Sequence, residues 1–320
     1  MEKNITSQEG RKLFVALAPH LRSKDTVQRI MLDVIIALLP ALIGSVYFFG
    51  IKALILNITC VVSCLVSEFI YQKLAKKELQ IKDLTAVVTG LLIAFNLPAT
   101  APIWMGIFGS AFAIIVVKEC FGGVGNNFMN PAIAARIVLM ASWAGKMTSY
   151  PAALDGVSGP TPLQLIKVGA FDKLPPLKDM IIGNIGGVLG ETSAILLIIG
   201  AIYLLVRGVI SWRIPVFYIA STAVFLFLLG VPSHILPYEI FGGGLILGAF
   251  FMATDYSSSP ANNRGKIIFS LLCGLITAVI RVKASLPEGV SYSIALMNAA
   301  TPLINKLTAT SAYGEAKVTK

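Results

Sequence analysis

The chain has 320 residues, of which 56% are hydrophobic and only 13% are charged, and its mean hydropathy is +0.80. This composition excludes an ordinary water-soluble domain, and the length leaves room for about ten bilayer spans of ~20 apolar residues each. The net charge of +10 does not indicate nucleic-acid binding, because the basic residues lie in alternate loops between apolar runs and form no single polar surface.

Five apolar runs follow a polar N-terminal segment in the first half of the chain. Residues 1–29 are polar and basic, so we predict a cytoplasmic segment without a cleavable signal peptide. The predicted spans are 30–49, 53–71, 84–97, 103–117 and 131–144. We assign them together, as residues 30–144, to a first membrane repeat.

A polar interval, residues 145–180, separates these runs from five more in the second half. The later spans are predicted at 192–206, 214–229, 240–253, 267–280 and 290–304, within a second membrane repeat of residues 181–307. Most lysines and arginines fall on one set of alternating loops, which the positive-inside tendency places in the cytoplasm. Both termini, including a tail of residues 308–320, are then cytoplasmic, and residues 145–180 form an extracytoplasmic loop.

Short stretches of the two halves echo each other. Gly90-Leu91 precedes Ala99-Thr100 at the spacing with which Gly244-Leu245 precedes Ala253-Thr254, and Met129-Asn130 is echoed by Met297-Asn298. The matches pair the third span with the eighth and the fifth with the tenth, which predicts two five-span repeats. Because each repeat has an odd number of spans, the second is inverted, and such folds place a polar site near the repeat interface. Since few identities carry the echo, a chance match is the alternative.

The polar interval contains a run of turn-forming residues around one hydroxyl. Gly156, Gly159, Pro160 and Pro162 favour a backbone outside helix and sheet. They are predicted to present Thr161 as an exposed, conformationally fixed hydroxyl with no neighbouring carboxylate, which suits an acceptor that another enzyme must reach. The alternative is a loop that only connects two helices.

Residues 155–161 read Asp-x-x-Ser-Gly-x-Thr, which resembles the flavinylation site of the NqrB/RnfD family. Members of this family are membrane subunits of ion-pumping electron-transfer complexes. The resemblance covers nearly the whole chain, including residues 125–132 and 190–193, and the chain length is closer to the Rnf branch than to the longer quinone-reductase branch. Pro160 stands where the usual motif has alanine.

The resemblance implies a flavoprotein. FMN would be joined through a phosphoester to Thr161 by a flavin transferase, which makes Thr161 a phosphorylated threonine in a site that includes Ser158 and Gly159. A second, non-covalent flavin such as riboflavin is expected inside the chain. The family also implies an all-α integral membrane fold that resembles urea transporters, with about ten transmembrane helices in two inverted five-helix repeats.

The resemblance further implies a place in a larger assembly in the bacterial inner membrane. The chain would be one component of an Rnf-type oxidoreductase, with no complete active site of its own and with companions of the G, C, A, E and B types as partners beside the lipid. Electron transfer between ferredoxin and NAD would be coupled to movement of Na⁺ or H⁺. The alternatives are the B-type component (NqrB) of a sodium-pumping NADH:quinone reductase and, in a different class, a transporter or channel for a small polar solute.

Arg136 lies within a predicted span and Glu191 beside one, where charge is costly. Arg136, two turns into the fifth span, either faces a flavin, a lipid headgroup or a carboxylate, or forms a structural ion pair, for instance with Glu191. Glu191 is either an ordinary first-turn acid or part of a flavin or ion pocket. The matching Gly-Glu-Thr-Ser segment of the family favours the pocket.

An amide-rich loop precedes the fifth span. Asn126 and Asn127 can hydrogen-bond a flavin or coordinate a cation, whereas Asn130, followed by Pro131, is predicted to cap the helix. No Ser/His/Asp arrangement, carboxylate pair or P-loop stands out in the sequence, and the four cysteines lack a metal-binding spacing. We therefore predict no catalytic or metal-binding residue and assign the chemistry to a bound cofactor.

Overall fold

The computed structural model describes residues 4–6, 12–14, 25–150, 159–191 and 193–309. Over these ranges the protein is helical, apart from two three-residue strands, β1 (Asn4–Thr6) and β2 (Lys12–Phe14), which pair antiparallel. The prediction of a helical membrane protein is confirmed. The strand pair in the N-terminal segment was not predicted.

Every predicted span of the first half coincides with a helix. The helices are α1 (Val27–Phe49), α2 (Ile51–Leu74), α3 (Thr85–Phe95), α4 (Ile103–Ala111) and α5 (Pro131–Ser142). A short 3₁₀ turn, Ile81–Asp83, precedes α3, and α4 continues as a π-helix over Phe112–Glu119. The predicted cap of α5 is confirmed, since the Asn130 side chain accepts from the backbone N–H groups of Ala132 and Ile133.

The polar interval is more helical than the sequence indicated. It contains α6 (Ala144–Met147), α7 (Pro162–Lys167), the 3₁₀ turn Phe171–Lys173 and α8 (Leu177–Ile182). The expectation that Pro162 would keep the backbone out of helix is wrong. Proline lacks an N–H that the first helical position would leave unused, so Pro162 begins α7.

Helices also occupy the five predicted spans of the second half. They are α9 (Ala194–Val206), α10 (Arg213–Leu228), a short α11 (Leu236–Phe241), α12 (Leu245–Leu247) with a π-helical continuation Gly248–Met252, α13 (Asn263–Lys283) and α14 (Val290–Thr308). The eighth predicted span, which runs over α12, is therefore the least regular of the ten.

Length and apolarity mark three of the described helices as able to cross a bilayer, namely α1, α2 and α13. The helices α3, α5, α9 and α10 are also apolar but shorter. Large apolar side chains such as Ile43 and Ile58 are more than half exposed on the outer faces of α1 and α2. Lipid chains solvate such faces where water would not, so these helices suit a membrane interior.

The two halves meet through helices that occupy the same position in the order of each half. The first helix, α1, packs against the sixth span, α9, and the fifth span, α5, packs against the tenth, α14. Within the halves, α2 packs against α3 and α4, and α10 packs against α13. Glycine allows the closest approach, because a Cβ at Gly200 of α9 would overlap the Ala37 carbonyl of α1.

Candidate functional site

Thr161 is held at the start of α7 by a capping box. The Thr161 hydroxyl oxygen accepts from the Gln164 backbone N–H at 3.3 Å, and the Gln164 side-chain oxygen accepts from the Thr161 backbone N–H at 2.9 Å. This reciprocal pair fixes the position of the hydroxyl. Thr161 is half-buried, which corrects the expectation of a fully exposed side chain.

Gly159, two residues before Thr161, is hydrogen-bonded to the end of the preceding described segment. The backbone N–H of Gly159 donates to the Tyr150 carbonyl at 3.1 Å. Gly159 itself is exposed, with nothing within 4 Å of the place where a Cβ would be. The predicted site residue Ser158 lies outside the described residues.

A small cavity of about 30 Å³ lies beneath Thr161. Its lining includes Thr161, Tyr150, Glu191, Glu288 and the glycine pair Gly186-Gly187. A space of this size holds about one water molecule and is too small for a ring system. The cavity nevertheless connects the hydroxyl of Thr161 with the carboxylates below.

Arg136 is the centre of the buried polar cluster below this cavity. Its guanidinium donates through Nη1 to Glu191 Oε1 at 2.7 Å and to the Asn96 side-chain oxygen, and through Nη2 to Glu288 Oε2. The side chains of Arg136 and Glu191 are only 5% and 8% exposed. The ion pair between Arg136 and Glu191 suggested by the sequence is therefore present, within a larger group.

Backbone hydrogen bonds to the end of α3, and a glycine directly before it, position Glu191 beside Arg136. The backbone N–H groups of Leu189 and Gly190 donate to the carbonyls of Leu97 and Phe95 at the end of α3, both at 3.0 Å. A Cβ at Gly190 would overlap the Phe95 side chain, so only glycine permits the two chain segments to approach this closely. Glu191 follows directly and points towards α5.

Glu288 enters from the loop between α13 and α14. It also accepts from the backbone N–H of Gly244, at the start of α12. A Cβ at Gly244 would lie 2.6 Å from Glu191 Oε1 and 2.7 Å from Glu288 Oε1. The absence of a side chain at Gly244 therefore makes room for two carboxylates.

The surroundings of Glu191 disfavour its charged form. Burial raises the pKa of Glu191, and the neighbouring Glu288 raises it further, while the Arg136 guanidinium opposes both effects. No carboxylate pair stands out in the sequence, but the fold brings Glu191 and Glu288 together. The pair escaped notice because its members are far apart in the sequence, although Glu288 is an isolated acid between two apolar runs.

A second, larger cavity of about 300 Å³ lies at the opposite end of α5. Its lining is mostly apolar, and its polar members include Asn127, Lys118, Thr85 and Asp255. Asn127 donates to the Met129 carbonyl and, at 3.3 Å, to the Asp255 carboxylate. Mostly apolar cavities of this volume with a few convergent polar groups are typical of small-molecule sites.

The predicted site residues therefore divide between the two ends of the molecule. Thr161 and Glu191 line the small cavity and Arg136 binds Glu191 below it, while Asn127 lines the large one. Asn126 lines neither of these two cavities, and its exposed side chain donates to the Gly122 carbonyl at 3.5 Å.

Sequence reasoning missed a buried ion pair beside the large cavity. Lys118 lies in the last turn of the π-helical continuation of α4, and its ammonium donates to Glu68 Oε1 and to the Thr85 hydroxyl, both at 2.6 Å. The two charged side chains are 4% and 0% exposed. The predicted fourth span ended at residue 117, but the helix continues past it and buries Lys118.

Comparison with known proteins agrees with this architecture. The sequence model described as "NQR2, RnfD, RnfE family" matches residues 14–314. The chain belongs to this family. The match covers all the described helices, so both cavities and the Arg136 cluster lie within the family region.

Three curated relatives are similar over nearly their whole length. One, from Acetobacterium woodii, is named as the D component of a Na(+)-translocating ferredoxin:NAD(+) oxidoreductase complex and is 50% identical over 96% of this chain and 97% of the relative. A proton-translocating counterpart from Clostridium ljungdahlii is 39% identical over 94% and 96%. The D component of the ion-translocating oxidoreductase complex of Aliivibrio salmonicida is 30% identical over 95% and 99%.

Proposed function

We propose that this protein is the flavin-carrying membrane subunit of an Rnf-type complex, in which electron transfer between ferredoxin and NAD is coupled to Na⁺ or H⁺ transport. The observation that carries the proposal is the 50% identity, over nearly the full length of both chains, with the D component of a ferredoxin:NAD(+) oxidoreductase. Companions of the G, C, A, E and B types would complete the assembly. The quinone-reductase alternative is less well supported, because these relatives are named as ferredoxin:NAD(+) or ion-translocating oxidoreductases.

Thr161 is the proposed attachment point for FMN, through a phosphoester made by a flavin transferase. Its fixed, half-buried hydroxyl at the start of α7 fits this role, since the preceding Gly159 and Pro160 are exposed and leave space on the outer side. A bound flavin supplies electron transfer one or two electrons at a time. Thr161, Glu191 and Glu288 line one cavity and would set the charge and the hydrogen bonds beneath it.

The large cavity is the proposed site of a second, non-covalent flavin such as riboflavin. The apolar side chains of Val88, Leu92 and Phe250 offer a surface for a flat ring system. The Lys118 ammonium has three N–H donors, of which the contacts with Glu68 and Thr85 use two, so it supplies a hydrogen-bond donor for a ring carbonyl oxygen. The volume of about 300 Å³ is at the lower end of the range for ligand sites.

The membrane arrangement proposed from the sequence gains support from the packing. The first helix contacts the sixth span and the fifth span contacts the tenth, which supports two inverted five-helix repeats of a urea-transporter-like fold. In this arrangement both termini are cytoplasmic, Thr161 is on the extracytoplasmic side, and the large cavity is near the cytoplasmic side. The two flavin sites would then be offset across the membrane.

The rival from a different class is a transporter for a small polar solute, and flavin content separates the two. Acid precipitation of the purified complex should leave FMN with the denatured chain and release the second flavin into the supernatant. Thr161→Ala should lose the flavin fluorescence of the denatured gel band and keep the released flavin, and ferredoxin-driven NAD reduction should fall to background.

Thr148→Ala is the matched control. It removes a hydroxyl from the same polar interval, where Thr148 donates to the Ala144 carbonyl at 2.9 Å. This variant should keep the fluorescent band. A non-fluorescent wild-type band, or a Thr161→Ala band as bright as the control, would contradict flavin attachment at Thr161.

A further inference from the structure

The cluster around Arg136 contains more negative than positive charge. Two carboxylates, Glu191 and Glu288, contact one guanidinium, and all three side chains are at most 14% exposed. Among the described residues, Tyr150 is a further titratable group beside them, and its own charged form would be a third anion. An uncompensated charge buried in a low-dielectric interior is costly, so the cluster requires one more positive charge when Glu191 and Glu288 are both ionised.

The surroundings suit a proton better than a metal cation. The groups that point at the carboxylates are N–H donors, namely the Arg136 guanidinium and the Gly244 backbone N–H. The Asn96 side-chain oxygen already accepts from Arg136. Metal ions such as Na⁺ or Ca²⁺ need several free oxygen ligands, and the described residues contain no group of three or more metal-ligating side chains.

The two carboxylates also lie side by side. Glu191 Oε1 and Glu288 Oε1 are 2.6 and 2.7 Å from the place where a Cβ would be at Gly244, so the two oxygens are close neighbours. Two carboxylates at such a distance cannot both ionise without strong repulsion, and a single proton between them relieves it. Two cavities of about 30 Å³ border Glu288 on either side and offer room for the water that would carry the proton.

We propose that Glu191 and Glu288 share one proton and form a proton-exchange site beneath Thr161. Exchange forms one carboxyl O–H bond when the proton enters and breaks it when the proton leaves, and no electron moves through these residues. The link to redox chemistry rests on the proposed function: negative charge added to a flavin at Thr161 strengthens the hold on the proton, and its removal weakens it.

Glutamine replacements test the charge balance directly. Glu191→Gln and Glu288→Gln each imitate a protonated carboxyl and leave one carboxylate for Arg136, so each single variant should assemble. The double variant leaves the buried guanidinium without a carboxylate and should fail to accumulate as a folded chain. Failure of both single variants would show that both carboxylates are needed in ionised form, and would overturn the proposal.

Infrared spectroscopy of the purified full chain shows the proton itself. The measurement uses a Thr161→Ala background, so that it does not depend on covalent flavin. At neutral pH we expect a carboxyl C=O band that shifts in deuterated water and that is lost in either single glutamine variant. Absence of this band from the parent, or its persistence in both single variants, would overturn the proposal.

Glu239→Gln is the contrasting control. Glu239 and Arg281 form a balanced one-to-one buried pair with a separation of 3.0 Å, so glutamine leaves a guanidinium unpaired there. This variant should lower the thermal stability and keep the carboxyl band. Loss of the band in Glu239→Gln would show that the protonated carboxyl is Glu239, and would contradict the proposal.

The redox link has its own readout in the flavin-loaded complex. The reduction potential of the covalent flavin should depend on pH in the wild type, and Glu191→Gln should flatten this dependence. An unchanged pH dependence would overturn the link. A complex without covalent flavin would contradict the proposed function and leave the infrared result standing, so the two failures are distinguishable.

Discussion

Arg136 joins parts of the chain that are distant in sequence. Its two terminal nitrogens bind Glu191, Asn96 and Glu288, which belong to the segment before α9, the end of α3 and the loop before α14. The planar fork of a guanidinium can serve two carboxylates at once, whereas the single ammonium of lysine is a point charge. The shape of this side chain therefore matters as much as its charge.

Replacement of Arg136 should separate these two contributions. Arg136→Leu leaves two buried carboxylates without a cation, which should cost about 3–5 kcal/mol of stability and prevent assembly. Arg136→Lys keeps the charge and should assemble with a lower melting temperature and lower electron-transfer activity. The exposed Arg264→Leu serves as control. The amount of monodisperse complex and its thermal midpoint are the measurements, and wild-type stability of Arg136→Leu would contradict the assigned role.

Several residues of the site could be recognised before the fold was known. Arg136 and Glu191 stood out because charge is rare in apolar runs, and Asn130-Pro131 carried a clear cap signal. The capping box of Thr161 and Gln164 also has a readable pattern, Thr-x-x-Gln, but the surrounding glycines and prolines favoured a turn interpretation. Local patterns thus specify caps and spans.

Pairs formed by tertiary packing could not be found in this way. Glu288 meets Glu191 because two loops from different parts of the second half converge on α5, and no local spacing encodes that contact. Lys118 meets Glu68 only because α4 continues in π-helical form beside α2. Hydropathy detects the helices, but it carries no information about which of their faces meet.

The contact of α1 with α9 joins the two halves through backbone proximity. Gly200 on α9 lies directly against the Ala37 carbonyl on α1, and the adjoining Phe251 side chain closes the gap. Membrane helices have no water to expel from their interfaces, so close packing of small residues supplies much of their attraction. This interface is therefore sensitive to a single methyl group.

Gly200→Ala should destabilise the protein by about 1–3 kcal/mol, because the added methyl group overlaps backbone that cannot rotate away. Gly145→Ala, on α6, meets nothing within 4 Å and should change the stability by about 0.5 kcal/mol or less. Thermal unfolding in detergent, followed by the remaining monodisperse fraction, compares the two variants. Equal midpoints would mean that α1 and α9 do not pack as described.

For the whole molecule, the distribution of basic residues predicts which loops face the cytoplasm. Val168, 76% exposed after α7, should be extracytoplasmic, whereas the exposed Glu78 after α2 should be cytoplasmic. In a background where the exposed Cys120 is replaced by serine, an impermeant thiol reagent should label Val168→Cys in intact cells and leave Glu78→Cys unlabelled. Labelling of both positions, or the reverse pattern, would contradict the proposed orientation.

The central claim, covalent FMN on Thr161, is tested most directly by mass spectrometry of one tryptic peptide. Trypsin cleaves after Lys146 and after Lys167 and releases residues 147–167, because no other lysine or arginine lies between these two sites. From protein made together with an active flavin transferase, this peptide should carry the mass of FMN less one water, located on Thr161. An unmodified peptide, or a modification on Ser158, would contradict the claim.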